Sequence, residues 1–520
     1  MMADRPISLL LADGTLDNRH RIRPGCRFYS FDDEEPIIAD NYLTSFRTSK
    51  SIGEPAGTWT VGLATQPLVP GQAFELIRWH ERVKPGDWVL LDASDGAAEW
   101  PIMLGVVDRV HRSRVGPTLR YTITGRDFGK CLTNHDIIVL PQYKSANALD
   151  LVNDLGPFYQ TLDRITTRFG KDGVSPAELL PQLALFFLGS VTKGERGAAP
   201  VFHLPRSMHI ETDQPVDLEA AGLPLELGLP LGELLRFAVD PDLTGRAVLR
   251  EMFEGLPDGM KLWDYLASWA NTELNEFYCD FLPRSMLDGG RPLADAYQWN
   301  RQGGHPFLPA IVLRERPFPT NAHVSARQLG FKTNIDLVSG YDRWVGLPWT
   351  EVDERQLVQD ETGVSDAERA NFFLAVPHAS YTANPYTLAL GASGRGKLPI
   401  ITPDSAARYG WQRRQMSSPY LPTDPNAPTA TYYEWSRQIS DWYERNAEYL
   451  SGDLESARML PGVHVGEKLI VHRDNRAVRE TYYVEGVTHA WQKAGDAHET
   501  SSTAMVVTRG STDDLGGFRL

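Results

Sequence analysis

From Arg27 to about His135 the apolar side chains recur mainly with a period of two, and this pattern constrains the chain more than any other feature. Trp59, Val61 and Leu63 alternate with Thr60 and Gly62. Ile102, Leu104 and Val106 are spaced to share one face, and Leu119, Tyr121 and Ile123 another. Lys84-Pro85-Gly86-Asp87 and Gly53-Glu54-Pro55-Ala56-Gly57 supply the turns between such runs. The pattern predicts an antiparallel sheet or small barrel over residues 1–140.

A chain of 520 residues exceeds one hydrophobic core, so further units must follow. Between Ser145 and Asn275 the period becomes helical: Pro176 to Leu188 has helical spacing, and Leu262, Tyr265, Leu266 and Trp269 fall on one helix face. Residues 141–274 therefore read as a mainly helical insert, with Val216 to Leu235 as irregular connection. Strand signals return over 275–345, notably Ile311-Val312-Leu313-Arg314, as early strands of a second barrel. Residues 346–455 read as a mixed insert, with a helix carrying Trp435, Ile439, Trp442 and Tyr443 between Pro-rich loops. Residues 456–520 close the second barrel with a hairpin, Thr481 to Trp491 and Thr503 to Arg509, followed by a tail. The fold class expected is α+β, mainly β: two small antiparallel β-barrels of a tube-like kind with helical and mixed inserts, the barrels suggesting a duplication.

A net charge of −15 provides no broad electrostatic footprint for nucleic acid or anionic lipid, so no sequence-specific nucleic-acid binding is expected. Cys26, Cys131 and Cys279 are odd in number and far apart, against a disulfide framework or a structural zinc site. No apolar signal segment opens the chain, and the greasiest run, Leu179 to Val191, is too short to span a bilayer; no membrane anchor is expected.

Chemistry-bearing patterns are weak. Gly391-Ala392-Ser393-Gly394-Arg395-Gly396-Lys397-Leu398 has the outer glycines and lysine of a phosphate loop, but Leu398 stands where a magnesium-binding hydroxyl belongs, and Pro399 follows where a helix should open. It reads as a basic loop. The thirteen histidines form no HExxH or HxH pattern, no GxSxG is present, and no spacing selects a carboxylate pair. Asp32-Asp33-Glu34-Glu35 lacks the alternating ligands and central glycine of a calcium loop. The Trp435, Trp442 and Tyr443 cluster has the spacing of packing rather than of a sugar site. Catalytic, cofactor-binding and metal residues are accordingly assigned as none, and no cofactor is expected.

Taken in order, several segments resemble the baseplate hub family of tailed phages, which includes the late control protein D group. They are Ser51-Ile52-Gly53-Glu54-Pro55-Ala56-Gly57-Thr58-Trp59, Lys84-Pro85-Gly86-Asp87-Trp88-Val89, Gly105-Val106-Val107-Asp108 and Thr124-Gly125-Arg126-Asp127. The middle carries Trp263 to Ala270, Asn275-Glu276-Phe277-Tyr278-Cys279-Asp280, Val312-Leu313-Arg314-Glu315-Arg316-Pro317-Phe318 and the Gly410-Trp411 step; the end carries Tyr482-Tyr483-Val484-Glu485-Gly486-Val487-Thr488-His489 and Val507-Thr508-Arg509-Gly510. The resemblance carries no catalytic residues. It implies a non-enzymatic homotrimer whose two barrels per subunit form a pseudo-sixfold ring, contacting a tail tube protein, a spike or tip protein and other baseplate proteins. It places the protein in the virion tail baseplate after synthesis in the bacterial cytoplasm, with no appended lysozyme-like or spike segment. A tail-associated peptidoglycan or glycan hydrolase and a carbohydrate-binding tail adhesin are the competing readings.

Overall fold

The computed structural model describes residues 22–68, 76–94, 99–115, 118–137, 179–181, 183–184, 188, 202–208, 228, 230–239, 259–283, 307–316, 347–366, 369–377, 398–418, 420, 428–444, 449–474, 477–494 and 498–511. The first strands are β1 (Arg23–Tyr29), β2 (Ile37–Ile38), β3 (Leu43–Ser51), β4 (Thr58–Ala64), β5 (Trp88–Ser94), β6 (Glu99–Val115) and β7 (Thr118–Asp127), with helices α1 (Trp79–Arg82) and α2 (Gly129–Asn134). Next come α3 (Leu231–Leu234), β8 (Arg236–Val239), α4 (Leu262–Ala270), β9 (Asn275–Pro283) and β10 (Phe307–Glu315). The chain continues through β11 (Trp349–Asp353), β12 (Leu357–Gly363), β13 (Phe372–Pro377), β14 (Ile400–Ile401), α5 (Pro403–Tyr409), β15 (Arg413–Ser418) and α6 (Pro428–Tyr443). It ends with β16 (Leu450–Ser456), β17 (Lys468–Arg473), β18 (Val478–Ala494) and β19 (His498–Ser511).

Thirteen of these strands form one large, mostly antiparallel sheet, so the mainly β expectation holds. Its path runs β12-β16-β19-β18-β3-β4-β7-β6-β5-β1-β2, with β17 on β18 and β11 on β17. The expected barrels do not close among the described residues. Strand β3 of the N-terminal half pairs with the C-terminal β18 from Ser45↔Gln492 to Ser51↔Gly486, so the two halves run into one open sheet. The strands expected to begin a second barrel, β9 and β10, pair instead with β8 in a separate three-stranded sheet. That sheet lies against the C-terminal half: Tyr278, Ala310 and Val312 join its core.

The two halves repeat one plan. In chain order β1, β3, β4, β5, β6 and β7 correspond to β11, β12, β16, β17, β18 and β19, and the pairing orders β3-β4-β7-β6-β5-β1 and β12-β16-β19-β18-β17-β11 match. A 3-10 turn precedes both β3 and β12, at Asp40–Tyr42 and Glu354–Gln356. Before β5 and β17 the chain turns through Gly86 and Gly466, with φ of 99° and 79°, a left-handed conformation that glycine adopts without a Cβ penalty. Gly86 N donates to Val107 O and Val107 N to Asp87 O; Gly466 N donates to Val484 O and Val484 N to Glu467 O. Each long hairpin then bulges, at Asp108 and at Glu485, and the second hairpin has a further irregularity between Thr481 and Tyr483. Both bulge carboxylates accept from the facing strand: Asp108 from Arg126 at 3.0 Å, Glu485 from Thr508 at 2.9 Å. The copies part at one edge, since β1 joins β5 antiparallel whereas β11 joins β17 parallel.

Local chemistry explains most of these elements. Leu262, Tyr265, Leu266 and Trp269 are buried on one face of α4, and Trp435, Ile439, Trp442 and Tyr443 on α6, as their spacing predicts. The described residues of the Pro176 to Leu188 stretch are helical, and all but the half-buried Pro181 are buried. Val216 to Leu235, read as irregular connection, contains the short α3 among its described residues. Ile102 departs from the face assigned to it. Leu91 pairs with Met103 and Asp92 with Pro101, so Ile102 bulges and packs with the N-terminal core, while Leu104 and Val106 face the insert core. Trp59 is clamped at this crossing: its indole donates to Arg126 O at 3.1 Å and lies across Gly105 and Gly125. A Cβ on Gly125 would fall on both Val106 O and the Trp59 ring. Gly125→Ala is therefore expected to cost about 3 kcal/mol by overpacking, measured as a lower urea midpoint with an unchanged slope.

Candidate functional site: buried charge clasps between the sheets

Strand β9 is the hinge-pin of the assembly because its two faces differ. Phe277, Cys279 and Phe281 point into the insert core, while Glu276, Tyr278 and Asp280 point toward the large sheet. The two carboxylates hold a clasp at each end.

At the first clasp, Lys50 Nζ from β3 lies 3.3 Å from Asp127 Oδ2, at the end of β7, and 3.3 Å from Asp280 Oδ1. Asp127 also accepts from Gly129 N at 2.8 Å, fixing the start of α2. His464 Nδ1 stands 3.6 Å from Asp280 Oδ2. Burial acts to lower the Lys50 pKa, but Asp280 and Asp127 outweigh it and hold the ammonium above its ordinary range. Burial likewise opposes ionisation of Asp280, and Lys50 and then His464 reverse that, holding the carboxyl well below the usual carboxylate range. A cavity of about 20 Å³ lies alongside, lined by Lys50, Asp280, His464 and His489, enough for one water molecule.

At the second clasp, the Arg314 guanidinium of β10 donates to Glu276 Oε2 at 2.7 Å, to Gly466 O at 2.8 Å and to the Tyr483 hydroxyl at 3.0 Å. Tyr483 in turn donates to Glu276. The Glu276 side chain is fully buried. The repeated glycine turn before β17 is thus read directly by an arginine from the other sheet. A third contact ties in α6: Trp442 lies beneath Arg316 at 5.0 Å and Arg509 at 4.1 Å.

His489 makes the region pH-sensitive. Its Nδ1 lies 2.9 Å from Thr503 Oγ1, and burial, reinforced by His464, lowers its pKa to about 3. The folded state holds this imidazole neutral, so its stability contribution is present above the ordinary histidine range and is lost as pH falls through it. Between pH 7 and pH 4 the loss should be about 3 kcal/mol. Urea unfolding of His489→Gln at both values should show this part of the acid dependence gone. His464 has the opposite sign: burial lowers its pKa, but Asp280 raises it above its ordinary value, so its contribution is present at low pH and lost as pH rises.

Away from the cores, the large sheet presents a wetted face. One register row reads Arg126, Thr58, Ser49, Thr488, Ala504, Glu455 and Gln359 across seven strands. The next reads Thr124, Thr60, Arg47, Ala490 and Ser502, and a third Thr122, Gly62, Ser45, Gln492 and Thr500. None of these side chains is buried, and Thr488 donates to Ser49 across the junction of the halves at 3.0 Å. Elsewhere on the surface, Asn371 fixes the loop at Gly410 and Gln412 with bonds of 2.7 and 2.9 Å, leaving Trp411 68% exposed.

The sequence-level candidates fall as follows. Residues 391–397 of the phosphate-loop-like segment lie outside the described residues, and Leu398 is buried. Cys26, Cys131 and Cys279 are free and buried. Among the described residues no cluster of His, Cys, Asp and Glu has metal-binding geometry, and no helix is long and apolar enough to cross a membrane. The clasp residues were not singled out by sequence reasoning, although Asp127, Glu276, Asp280, Arg314 and Tyr483 all lie inside the segments that carry the family resemblance.

The fold and site thus define a mainly β protein in which two like half-sheets are locked to a third sheet by buried charges. No family model matches the sequence, and no curated protein matches it. Among solved structures the chain is similar to a tail protein from Neisseria meningitidis MC58, with 9% identity and a TM-score of 0.44 over 93% of this chain and 96% of that one. It is also similar to the 43 kDa tail protein of prophage MuSo2 from Shewanella oneidensis, with 10% identity and a TM-score of 0.43 over 94% and 98%. A third similarity is to a Francisella PdpA-VgrG complex, with 9% identity and a TM-score of 0.36 over 94% of this chain and 58% of that one.

Proposed function

We propose that the protein is a structural, non-enzymatic hub of a phage-type tail baseplate, three copies forming a pseudo-sixfold ring between the tail tube and the central spike or tip. The observation that carries this reading is the repeat: each chain supplies two half-sheets of the same strand order, turn and bulge, so three chains supply six similar units. In this reading the described residues of 22–137 form the first unit, and those of 347–366 and 449–511 the second. The hydroxyl-rich face lines the central channel, where a wet wall with few charges lets a polymer pass without capture. The inserts form the outer flank and meet surrounding baseplate proteins. The clasps hold the two units at a fixed angle, which a ring of defined size requires. Light scattering of the purified protein, alone and with its tip partner, tests the reading: a mass of three chains supports it, and a monomer under both conditions overturns it.

A further inference from the structure

We propose that a second copy of this chain docks its β12 edge on the outer edge of β6, extending the large sheet antiparallel from chain to chain. This deepens the ring reading and rests on it. The internal repeat gives both the contact and its register. Within the chain β3 pairs with the distal part of β18, and the strands corresponding to β3 and β18 are β12 and β6. The distal part of β6, Arg109 to Val115, pairs with β7 on one side, and β12 pairs with β16 on one side; no other strand among the described residues covers either free edge. The same junction that is filled inside the chain is therefore open at both of its outer ends.

The bulges at Asp108 and Glu485 align β6 with β18. Two further bulges, between Leu43 and Ser45 and between Leu357 and Gln359, align β3 with β12. Inside the chain Lys50 faces Val487, Thr48 faces His489 and Phe46 faces Trp491. Transferred, these pairs become Val364 opposite Val110, Thr362 opposite Arg112, and Asp360 opposite Arg114.

The chemistry of the two edges is complementary. Residues 357–366 carry Asp360, Glu361 and Asp366 and no base, while residues 109–115 carry Arg109, Arg112, Arg114 and His111 and no acid. Asp360 shares Arg473 with Glu480, so that trio keeps one negative charge in excess. Val358 and Val364 are 66% and 63% exposed on the acidic edge, an unprotected strand edge of the kind that proteins cover. Where the internal junction has the stacked rings of Phe46 and Trp491, 6.4 Å apart, the junction between copies has a carboxylate and a guanidinium. Contact between chains is thereby salt-sensitive and contact within the chain is not.

Cysteine pairing tests the register, since Cys26, Cys131 and Cys279 are buried. Val110→Cys and Val364→Cys, made in separate chains, mixed and oxidised, should yield one disulfide-linked dimer. The doubly substituted chain should close at three linked chains. Thr362→Cys with Val110→Cys should link poorly, because a two-residue offset places the Cα atoms beyond the roughly 4.4–6.8 Å that a disulfide spans. Arg112→Glu with Arg114→Glu, in protein that keeps its wild-type melting profile, should abolish linking at 110–364. A trimer by light scattering that does not link at 110–364, or that links at 110–362 instead, overturns this interface and leaves the ring reading standing. A wild-type monomer at every concentration and with its tip partner overturns both.

Discussion

Lys50→Met is expected to destabilise the protein by about 3–5 kcal/mol at pH 7, because it removes the ammonium that neutralises the buried Asp127 and Asp280. The wild-type pair draws its worth from both partners being charged, and removing one exposes the desolvation penalty of the others. The variant's two carboxyls should therefore take up protons, so the deficit should shrink as pH falls from 7 to 5. Urea denaturation across that range measures it. Adding Asp280→Asn should recover part of the loss at pH 7, since it deletes one of the stranded charges; equal deficits at both pH values and no recovery would show that Lys50 acts by packing alone.

Arg314→Met should cost a similar amount, about 3–5 kcal/mol, by stranding the fully buried Glu276. It also takes donors from Gly466 O and Tyr483 at the turn before β17. Replacing Glu276 with Met in the same chain should return much of that loss, and a double-mutant cycle gives the coupling. Glu276 and Asp280 are four residues apart on one strand, about 13 Å, so the two clasps should act independently. Lys50→Met and Arg314→Met together should then lose roughly 6–10 kcal/mol, comparable to the whole stability of a typical domain, and the double variant should unfold at room temperature by circular dichroism.

The strands and helices were legible in the sequence wherever one face is buried and the other wet. The two-residue alternation of Trp59, Val61 and Leu63 and the helical spacing of Trp435, Ile439 and Trp442 report local burial, and local burial is what these residues have. β5 shows the limit: Trp88 and Leu90 face one core while Val89 and Leu91 face another, so the strand carries no alternation and is recognised only by the turn before it. The joining of the halves through β3 and β18 was not legible, because antiparallel pairing between residues more than 430 apart leaves no mark in a window of ten. The clasps were hidden for the same reason. Asp127, Glu276 and Asp280 look like ordinary surface acids until the fold buries them beside Lys50 and Arg314. The duplication was expected only as a pair of barrels; what identifies it is the match of turns and bulges, which are features of hydrogen bonding rather than of residue type.

The proposed ring requires two equivalent units from each chain. Class averages of the purified protein in negative stain, viewed end-on, test it most directly. A ring of six similar lobes around an open channel, with a mass of three chains, is the predicted result. Particles of one or two lobes with no channel, in the presence of the tip partner as well as alone, would contradict it.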